Sequence, residues 1–277
     1  MQPLVSINIP FYNSLRHDLE DCLASIERFT HYPYELVLVD DGSEDMVAAK
    51  LAQGSADIYI RHDTTEGIAK SRHDAVLASS GHYIVTLDSD VVVTPYWLTG
   101  LVKKFEASQD DAFKVYILGA LTSCWVGFWI YFHQLYDLER GLIDCSEVGT
   151  ACMLFERKLI DIIGNFDPEL YNIWSDLDFC RRVHEIELPG ISPKVCTTPE
   201  VVVYHRGWVT PDTCAWSDKG LQATRNQAKF SSVDAIRKTI RALEILGKRY
   251  GIGSEMLAAQ KQRLREVETV KATTGIF

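Results

Sequence analysis

The sequence predicts an α/β fold with a mostly parallel central sheet, helices on both faces and a C-terminal helical appendage. Two patterns support this prediction. Short runs rich in Val, Ile and aromatic residues alternate with segments of helical apolar spacing through about residue 110. From Ser232 onward the chain has a helical pattern rich in alternating charge. Alternating strands and helices favour a parallel sheet covered on both faces, and 277 residues suffice for one such domain with an appendage.

The first half of the chain supplies most of the expected sheet. Its apolar runs predict strands at Leu4–Pro10, Glu35–Val39, Asp57–Ile60 and Tyr83–Leu87. A turn at residues 11–14, with a possible N-cap, precedes a helix whose apolar face carries Leu19, Cys22, Leu23 and Ile26. Two further helices are predicted at Gly67–Ala78 and from Pro95 to about Ala107, since proline is favourable at the first helical position.

The second half of the chain is less regular. A strand is expected after the glycine turn, over Gly149–Phe155, and a helix over Arg157–Ile163 that Gly164 closes. Ser175 is a suitable N-cap for a helix from Asp176 to Glu185. A strand over Val201–Tyr204 then ends at His205.

Bulk composition limits the location and the partners. A net charge of −10 argues against general affinity for nucleic-acid backbones. Seven cysteines without CxxC or zinc spacing indicate reduced thiols in a cytoplasmic protein, and the N-terminus has no basic region typical of a signal peptide. The uncharged stretch Val115–Leu135 is long enough to span a bilayer. Its glycines and hydroxyl residues favour core strands with an aromatic loop; a membrane-facing surface is the alternative.

The strand Tyr83–Leu87 runs directly into Asp88-Ser89-Asp90. Two carboxylates at a strand end cannot both be buried without partners, because an isolated buried charge is costly. Ligands of open α/β sheets bind at the carboxyl ends of strands. A divalent cation with a diphosphate would suit these acids; an acidic turn is the alternative. No GxGxxG motif follows the first strand, so the unit is not a dinucleotide-binding one.

Several motifs in sequence order resemble a family 2 glycosyltransferase with the GT-A fold. They are VSINIPFYN, ELVLVDDGSED, EGIAKSRHDAVLASSGHYIVTLDSDV, GTACMLFERKLIDIIGNFDPEL, WSDLDFCRR and VVVYHRG. The resemblance implies a GT-A domain over residues 1–230, with a nucleotide-sugar-binding half at 1–110 and an acceptor-binding half at 111–230. Residues 231–277 are then a C-terminal helical tail.

The resemblance assigns donor-binding residues in the first half. Pro10, Tyr12 and the pair Asp40-Asp41 match the part of the family that seats the base and ribose, although a DG pair is also common in plain turns. Gly67 and Arg72 match the segment before the acidic triplet. Arg72 would reach a phosphate or the triplet; the alternatives are a surface charge and an ion pair with Asp88.

The resemblance also implies a metal site. Asp90 would bind Mn²⁺ or Mg²⁺ directly, and Asp88, followed by Ser89, would contact the ribose or hold the metal through water. His205 matches a histidine that completes the metal site in some members, although a lone histidine at a strand end is often structural.

A Glu-Asp pair before a helix supplies the base in this family, and Ser175-Asp176 occupies that place here. Asp176 is therefore the candidate base, Asp178 is its competitor, and a purely dipolar role at the helix start is the alternative. The loss of the Glu puts acceptor positioning in question.

The implied function is an inverting, metal-assisted transfer of a sugar from a nucleotide-diphosphate sugar, with uridine the expected base, to an acceptor hydroxyl. The acceptor is left open among a saccharide, a lipid-linked sugar, a protein and a modified nucleic-acid base. A nucleotide-sugar-binding protein without turnover is the main alternative; a processive synthase lacks its expected motif here. The C-terminal helices are a possible homo-oligomer contact.

Overall fold

The fold was analysed in a computed structural model that describes residues 4–110, 113–122, 136–137, 139–206 and 232–274. The first half alternates strands and helices as the sequence predicts. Its strands are β1 (Val5–Phe11), β2 (Tyr34–Asp40), β3 (Ile58–Arg61) and β4 (Tyr83–Leu87); its helices are α1 (Arg16–Phe29), α2 (Met46–Ser55) and α3 (Ile68–Ala78). The four strands are parallel in the order β3-β2-β1-β4. Each connection contains a helix or a long crossover, which parallel strands require.

The second half extends this sheet with antiparallel pairs. Its elements are β5 (Val91–Val92), α4 (Trp97–Ala107), β6 (Phe113–Thr122), β7 (Tyr136–Asp137), β8 (Leu142–Asp144), β9 (Cys152–Glu156), α5 (Leu159–Ile163), a 3₁₀ turn at Pro168–Leu170, α6 (Ser175–His184) and β10 (Ser192–His205). The order continues as β4-β9-β6-β10-β8-β7, and β5 pairs with β10. β9 is antiparallel to both β4 and β6, whereas β6 and β10 are parallel. The sheet is therefore mixed, and its parallel character belongs mainly to the first half.

The two faces of the sheet have separate cores. Alternate residues of β4 divide between them: Val85 and Leu87 pack with α1 and α4, while Ile84 packs with α5 and α6. The second core contains stacked aromatic rings, with Phe166 and Phe179 at a centroid distance of 4.3 Å. The predicted α/β fold with helices on both faces is confirmed.

Four predicted helix starts are wrong by one or two residues. α3 begins at Ile68 rather than Gly67, α5 at Leu159 rather than Arg157, and α4 at Trp97 rather than Pro95, after Tyr96 in the left-handed region. α6 begins at Ser175, and the N-cap is Trp174, whose side chain makes no capping bond. Ser175 therefore does not cap the helix, because its hydroxyl accepts a hydrogen bond from Arg72 instead.

The C-terminal tail forms two helices, α7 (Val233–Tyr250) and α8 (Ser254–Thr274). Ser232 caps α7 by accepting from the Ala235 amide over 3.2 Å. The end of α7 contacts α6, where Arg249 Nη1 and the Tyr250 hydroxyl donate to Asp178 Oδ1 over 2.9 and 3.0 Å. The predicted boundary at 230/231 lies outside the described residues and stays a prediction, as does oligomerisation through these helices.

The stretch Val115–Leu135 is described only in its first part. Residues up to Thr122 lie in β6, where eight consecutive residues from Val115 are buried; residues 123–135 lie outside the described part. In the described residues, every helix is too short or too polar to cross a bilayer.

Candidate active site

The ends of β4 and β10 bring two carboxylates and a histidine together. Asp88 and Asp90 follow β4, and the short strand β5 pairs with the end of β10, opposing Val91 to His205. His205 Nε2 lies 3.1 Å from Asp90 Oδ1 and 3.6 Å from Asp88 Oδ2. One ligand atom from each of the three residues lies within 4.8 Å of the others. Asp90 and His205 are 115 residues apart in sequence, and the pairing of β5 with β10 brings them together.

Arg206 holds the end of β10 against α1. Its guanidinium pairs with Asp18 and Asp21 on that helix, and its amide donates to the Asp90 carbonyl over 3.2 Å. These contacts fix the backbone on both sides of His205. Sequence reasoning did not single out Arg206, Asp18 or Asp21, because i,i+3 acids on a helix are ordinary surface residues until their partner is known.

Arg72 lies on α3 with 8% of its surface exposed. Its Nη2 is 3.6 Å from Asp88 Oδ1, and its Nη1 donates to Ser175 Oγ over 3.0 Å. Its buried Nε has no hydrogen-bond partner among the described residues. The structure therefore contains the ion pair with Asp88 that the sequence allowed. A buried donor without a partner is costly in a protein interior.

A cavity of about 730 Å³ opens between these groups and the start of α6. Arg72, Asp88 and His205 line it, together with further residues of β6 and β10. Residues 146–151 and Trp174, Asp176 and Leu177 also belong to its lining. The volume lies within the usual range for small-ligand sites.

The two acids of α6 have different surroundings. Asp176 is partly exposed, lines the cavity and accepts from the Leu177 amide over 2.9 Å. Asp178 is fully buried, and its two oxygens accept from Arg182, Arg249 and Tyr250. Asp178 therefore attaches the C-terminal helices to the domain, whereas Asp176 is available to a ligand.

Glu147 adds a further carboxylate to the cavity wall. The Val148 amide donates to Cys180 Sγ over 3.4 Å, and His184 Nε2 lies 3.1 Å from the Ser146 carbonyl. These contacts join residues 146–148 to the middle and the end of α6 and set Glu147 beside that helix. Burial and the charge of Asp176 raise the pKa of Glu147, and Arg181 opposes the shift. No motif marked Glu147 in the sequence.

The charges across the cavity affect one another. Burial raises the pKa of Asp88 above its usual range; Arg72 and His205 oppose the shift, and the charges of Asp90 and Asp176 add to it. Several acids in one partly dehydrated space repel one another. A cation bound among them would relieve this repulsion.

Trp174 lines the cavity and has a strained backbone conformation. It has φ 43° and ψ 37° and is 37% exposed, although it is a large aromatic residue. Left-handed geometry at a bulky residue costs of the order of 1–3 kcal/mol and is typical of ligand-binding sites. An exposed indole face offers a platform on which a sugar ring can stack.

Asp40 and Asp41 lie at the end of β2 and are saturated by protein donors. Asp40 accepts from Tyr59, Arg61 and the Ser43 amide. Asp41 accepts from Thr65 over 2.6 Å and from the amides of Glu66 and Gly67 over 2.8 and 2.9 Å, and it also pairs with His62. Burial opposes the ionisation of Asp41, but these bonds together hold its pKa below the usual range.

His62 connects two acids in this network. Its Nδ1 lies 2.7 Å from Asp41 Oδ1 and its Nε2 lies 3.0 Å from Asp74 Oδ2. The hydrogen bond with Asp41 raises the pKa of His62, burial opposes the shift, and Asp74 adds to it. The pair Asp40-Asp41 thus has a structural role in ordering residues 62–67, and base recognition by it stays a prediction.

Gly67 is required by its own conformation and by a neighbouring ring. Its φ is +96°, and a Cβ there would lie 2.4 Å from Tyr171 Cδ2. This packing explains the glycine without a ligand. Of the other residues predicted to bind the donor, Pro10 is buried near the end of β1, Tyr12 follows that strand, and the Ser89 and Ser14 hydroxyls are 2.7 Å apart. The predicted donor-binding residues Pro10, Tyr12, Gly67 and Ser89 are not among the described residues that line the cavity.

The residues at the strand ends fit a divalent cation. Asp88, Asp90 and His205 offer two carboxylates and one imidazole, and their atoms converge from two separately anchored chain segments. Carboxylates suit Mg²⁺ and Mn²⁺, and the imidazole adds a ligand common in transition-metal sites. An Asp-rich site that could hold a metal is therefore present, although the donor set does not choose between the two ions.

Comparison with known proteins identifies the family. The model of "Glycosyl transferase family 2" matches residues 6–162, more than half of the chain. The chain belongs to glycosyl transferase family 2. Curated relatives agree: the uncharacterised glycosyltransferase YwdF of Bacillus subtilis is 30% identical over 182 residues, covering 64% of this chain and 67% of the relative. The undecaprenyl-phosphate 4-deoxy-4-formamido-L-arabinose transferase of Serratia proteamaculans is 36% identical over 208 residues, covering 66% and 59%.

Solved structures with this fold include two glycosyltransferases. GalNAc-T7, solved with UDP, GalNAc and Mn²⁺, superposes with a TM-score of 0.58 at 16% identity over 95% of this chain and 55% of its own. The mannosyltransferase PcManGT of Pyrobaculum calidifontis, solved with GDP-Man and Mn²⁺, gives 0.59 at 18% identity over 98% and 85%. The predicted GT-A fold of this family 2 enzyme is confirmed.

The family match ends before α6. Asp176 and His205 lie beyond residue 162, so their places rest on the geometry of the cavity. The match to the Serratia transferase covers less than two thirds of that protein, and the match to B. subtilis EpsJ covers 33% of it. The family and the enzyme class follow from these comparisons; the donor, the acceptor and the stereochemistry do not.

Proposed function

We propose that this family 2 glycosyltransferase moves a sugar from a nucleotide-diphosphate sugar, with UDP the expected nucleotide, to an acceptor hydroxyl with inversion at the anomeric carbon. One observation carries the proposal: Asp88, Asp90 and His205 converge at the strand ends, and Asp88 and His205 line the same cavity as Asp176. A group of possible metal ligands and a carboxylate thus share a space large enough for a sugar.

The residues of the cavity suggest how the donor is held. Asp88, Asp90 and His205 would hold Mn²⁺ or Mg²⁺, which offsets charge on the departing diphosphate when it is bound. Arg72 lines the cavity beside Asp88, and its guanidinium would donate to a diphosphate oxygen as a charge-assisted bond. The related structures support a diphosphate donor, since one contains UDP and the other GDP-Man.

Asp176 would act on an acceptor bound in the same cavity. Its carboxylate takes the proton of the acceptor hydroxyl as that oxygen forms a bond to the anomeric carbon. The bond between this carbon and the diphosphate oxygen breaks, and its electron pair leaves with the nucleotide. Attack on the face of the sugar opposite the diphosphate inverts the anomeric configuration.

The five described cysteines are free and buried. Reduced thiols are typical of reducing compartments, which supports the cytoplasm as the place of action.

The proposal is tested by a screen of UDP- and GDP-sugars with and without Mn²⁺. A thermal shift reports donor binding, since a ligand of the native state raises the melting temperature. Nucleotide release by hydrolysis reports turnover, and NMR of the anomeric proton in the product reports inversion. Absence of any Mn²⁺-dependent shift and of any nucleotide release would refute the donor class; a product with retained configuration would refute the mechanism.

A further inference from the structure

Two acids, Glu147 and Asp176, line the cavity together with the partly exposed indole of Trp174. We infer that the acceptor group bound here is a neutral sugar hydroxyl rather than a phosphate, with Glu147 binding a second hydroxyl of that sugar and Trp174 stacking on its ring. The inference rests on the proposed function and specifies the acceptor of the same site. It departs from the name of the Serratia relative, whose acceptor is undecaprenyl phosphate.

The first argument is electrostatic. Glu147 and Asp176 line the same cavity, and each carboxylate raises the energy of placing another negative charge there. Arg181 is the cation that opposes the raised pKa of Glu147. Its guanidinium also stacks on the Tyr250 ring, 4.9 Å from the ring centroid. A phosphate acceptor would bring one or two further negative charges against these acids. A neutral hydroxyl instead donates a hydrogen bond to a carboxylate.

The second argument is chemical. A phosphate oxygen is already ionised at neutral pH and needs no base to attack an anomeric carbon. A sugar hydroxyl must lose its proton, and Asp176 provides an acceptor for that proton in the cavity. Of the two acceptor classes, only a sugar hydroxyl therefore needs Asp176 as a base.

The third argument concerns ligand shape. The strained, partly exposed Trp174 lines the cavity together with the two acids, and an apolar ring with adjacent carboxylates suits the alternating C–H and O–H groups of a pyranose. Arg72, which pairs with Asp88, is the lining residue that suits a phosphate. The cavity thus offers a phosphate-binding cation at Asp88 and hydroxyl-binding acids at Glu147 and Asp176.

The placement of Glu147 also bears on the Ser175 substitution. Family members carry a Glu directly before the base, whereas here Ser175 is buried and bonded to Arg72. Glu147 reaches the same cavity from residues 146–148, which are hydrogen-bonded to α6. It is an acceptor-binding residue supplied from a different segment.

The test compares two acceptor classes with one donor. With the sugar nucleotide that gives the largest Mn²⁺-dependent thermal shift, nucleotide release is measured in the presence of neutral p-nitrophenyl hexosides, undecaprenyl phosphate, or no acceptor. At least one neutral hexoside should stimulate release and undecaprenyl phosphate should not. In Glu147→Gln the KM for that hexoside should rise about 10-fold or more, the worth of a hydrogen bond to a charged group. Trp174→Ala should raise the same KM.

A matched control is Glu156→Gln, which removes a partly buried carboxylate at the opposite end of the sheet, where Glu156 pairs with Tyr83. It should leave the KM for the hexoside unchanged. Stimulation by undecaprenyl phosphate, hydrolysis that no hexoside stimulates, or an unchanged KM in Glu147→Gln would each overturn the inference. These outcomes presuppose donor turnover, so they are distinct from failure of the proposed function, in which no donor is bound or cleaved.

Discussion

Arg72 Nη1 donates a hydrogen bond to Ser175 Oγ over 3.0 Å and so joins α3 to the first turn of α6. The two residues are 103 positions apart in sequence, and both are buried. This bond links the helix that carries Arg72, the proposed diphosphate-binding cation, to the helix that carries the candidate base. The residue that departs from the family pattern is therefore a structural contact of the site.

We expect Ser175→Ala to destabilise the protein. The change leaves Arg72 Nη1 without its acceptor beside an Nε that already lacks one among the described residues. Hydrogen bonds to charged groups contribute about 1.5–3 kcal/mol, so the free energy of unfolding in urea should fall by that amount. Ser108→Ala is the control, because that buried hydroxyl, directly after α4, donates to the carbonyl of Lys104 in the last turn of the helix and to no charged group. Equal stability of Ser175→Ala and wild type would show that the bond has no net effect.

We expect Asp90→Ala to lose metal binding while it keeps the fold. Asp90 is partly exposed at the strand end, and its removal leaves only Asp88 and His205 of the three converging ligands. Binding of Mn²⁺, measured by electron paramagnetic resonance of the free ion, should weaken by about 10-fold or more, the usual effect of disturbing a metal site. The thermal shift caused by nucleotide should then no longer depend on Mn²⁺.

The control for this prediction is Asp161→Ala, an exposed acid on α5. It should bind Mn²⁺ as wild type does. Wild-type turnover by Asp90→Ala in chelator-treated buffer would contradict the metal role.

Local signals in the sequence predict the first half of the fold well. Strands such as Tyr83–Leu87 are uninterrupted apolar runs, and the acids that follow them are conspicuous. β10 was harder to predict, since Pro193 and Pro199 interrupt its pattern and only Val201–Tyr204 reads as a strand. The structure accommodates these interruptions with register shifts against β6 between Lys194 and Val195 and between Thr198 and Val202.

The site was predictable where residues belong to a motif and unpredictable where they meet through packing. Asp88, Asp90 and Asp176 follow apolar runs or begin a helix, so their types and places suggested a role. Glu147 belongs to no pattern, and its place beside α6 depends on contacts of Val148 with Cys180, which only the folded chain creates. The antiparallel direction of β9 likewise follows from its pairing with β4 and β6.

The His62 bridge predicts a pH dependence of stability. Hydrogen bonding with Asp41, assisted by Asp74, raises the folded-state pKa of His62, and Lys70 pairs with Asp74 in the same network. A group with a raised folded pKa contributes stability that is complete below its unfolded pKa, about 6.5, and is lost as the pH rises through the folded value. The free energy of unfolding should therefore fall as the pH increases from about 6.5.

His62→Gln keeps a hydrogen-bonding side chain without the titration, and its urea stability should lack this decline. Asp41 works in the opposite direction: its lowered pKa contributes stability above its unfolded value, about 3.9, which is lost as the pH falls through the depressed value. Parallel pH profiles for His62→Gln and wild type above pH 6.5 would contradict the role of the bridge.

The contrast between Asp176 and Asp178 gives the sharpest test of the site. Both lie in the first turn of α6 and both match an acid near the family's base, so sequence alone left them in competition. In the structure, Asp176 lines the cavity, while Asp178 is fully buried and accepts from Arg182, Arg249 and Tyr250.

Asp176→Asn should lower kcat by about 10²-fold or more, because it removes the proton acceptor but keeps nearly the same shape. Its donor affinity and its unfolding free energy should change little, since the lost interaction matters mainly in the transition state. Asp178→Asn should show the reverse pattern. Breaking a buried ion pair costs about 3–5 kcal/mol, so its stability should fall while the folded fraction retains turnover. An active Asp176→Asn with an inactive but stably folded Asp178→Asn would assign the base to Asp178, and full activity of both variants would place the base on another residue.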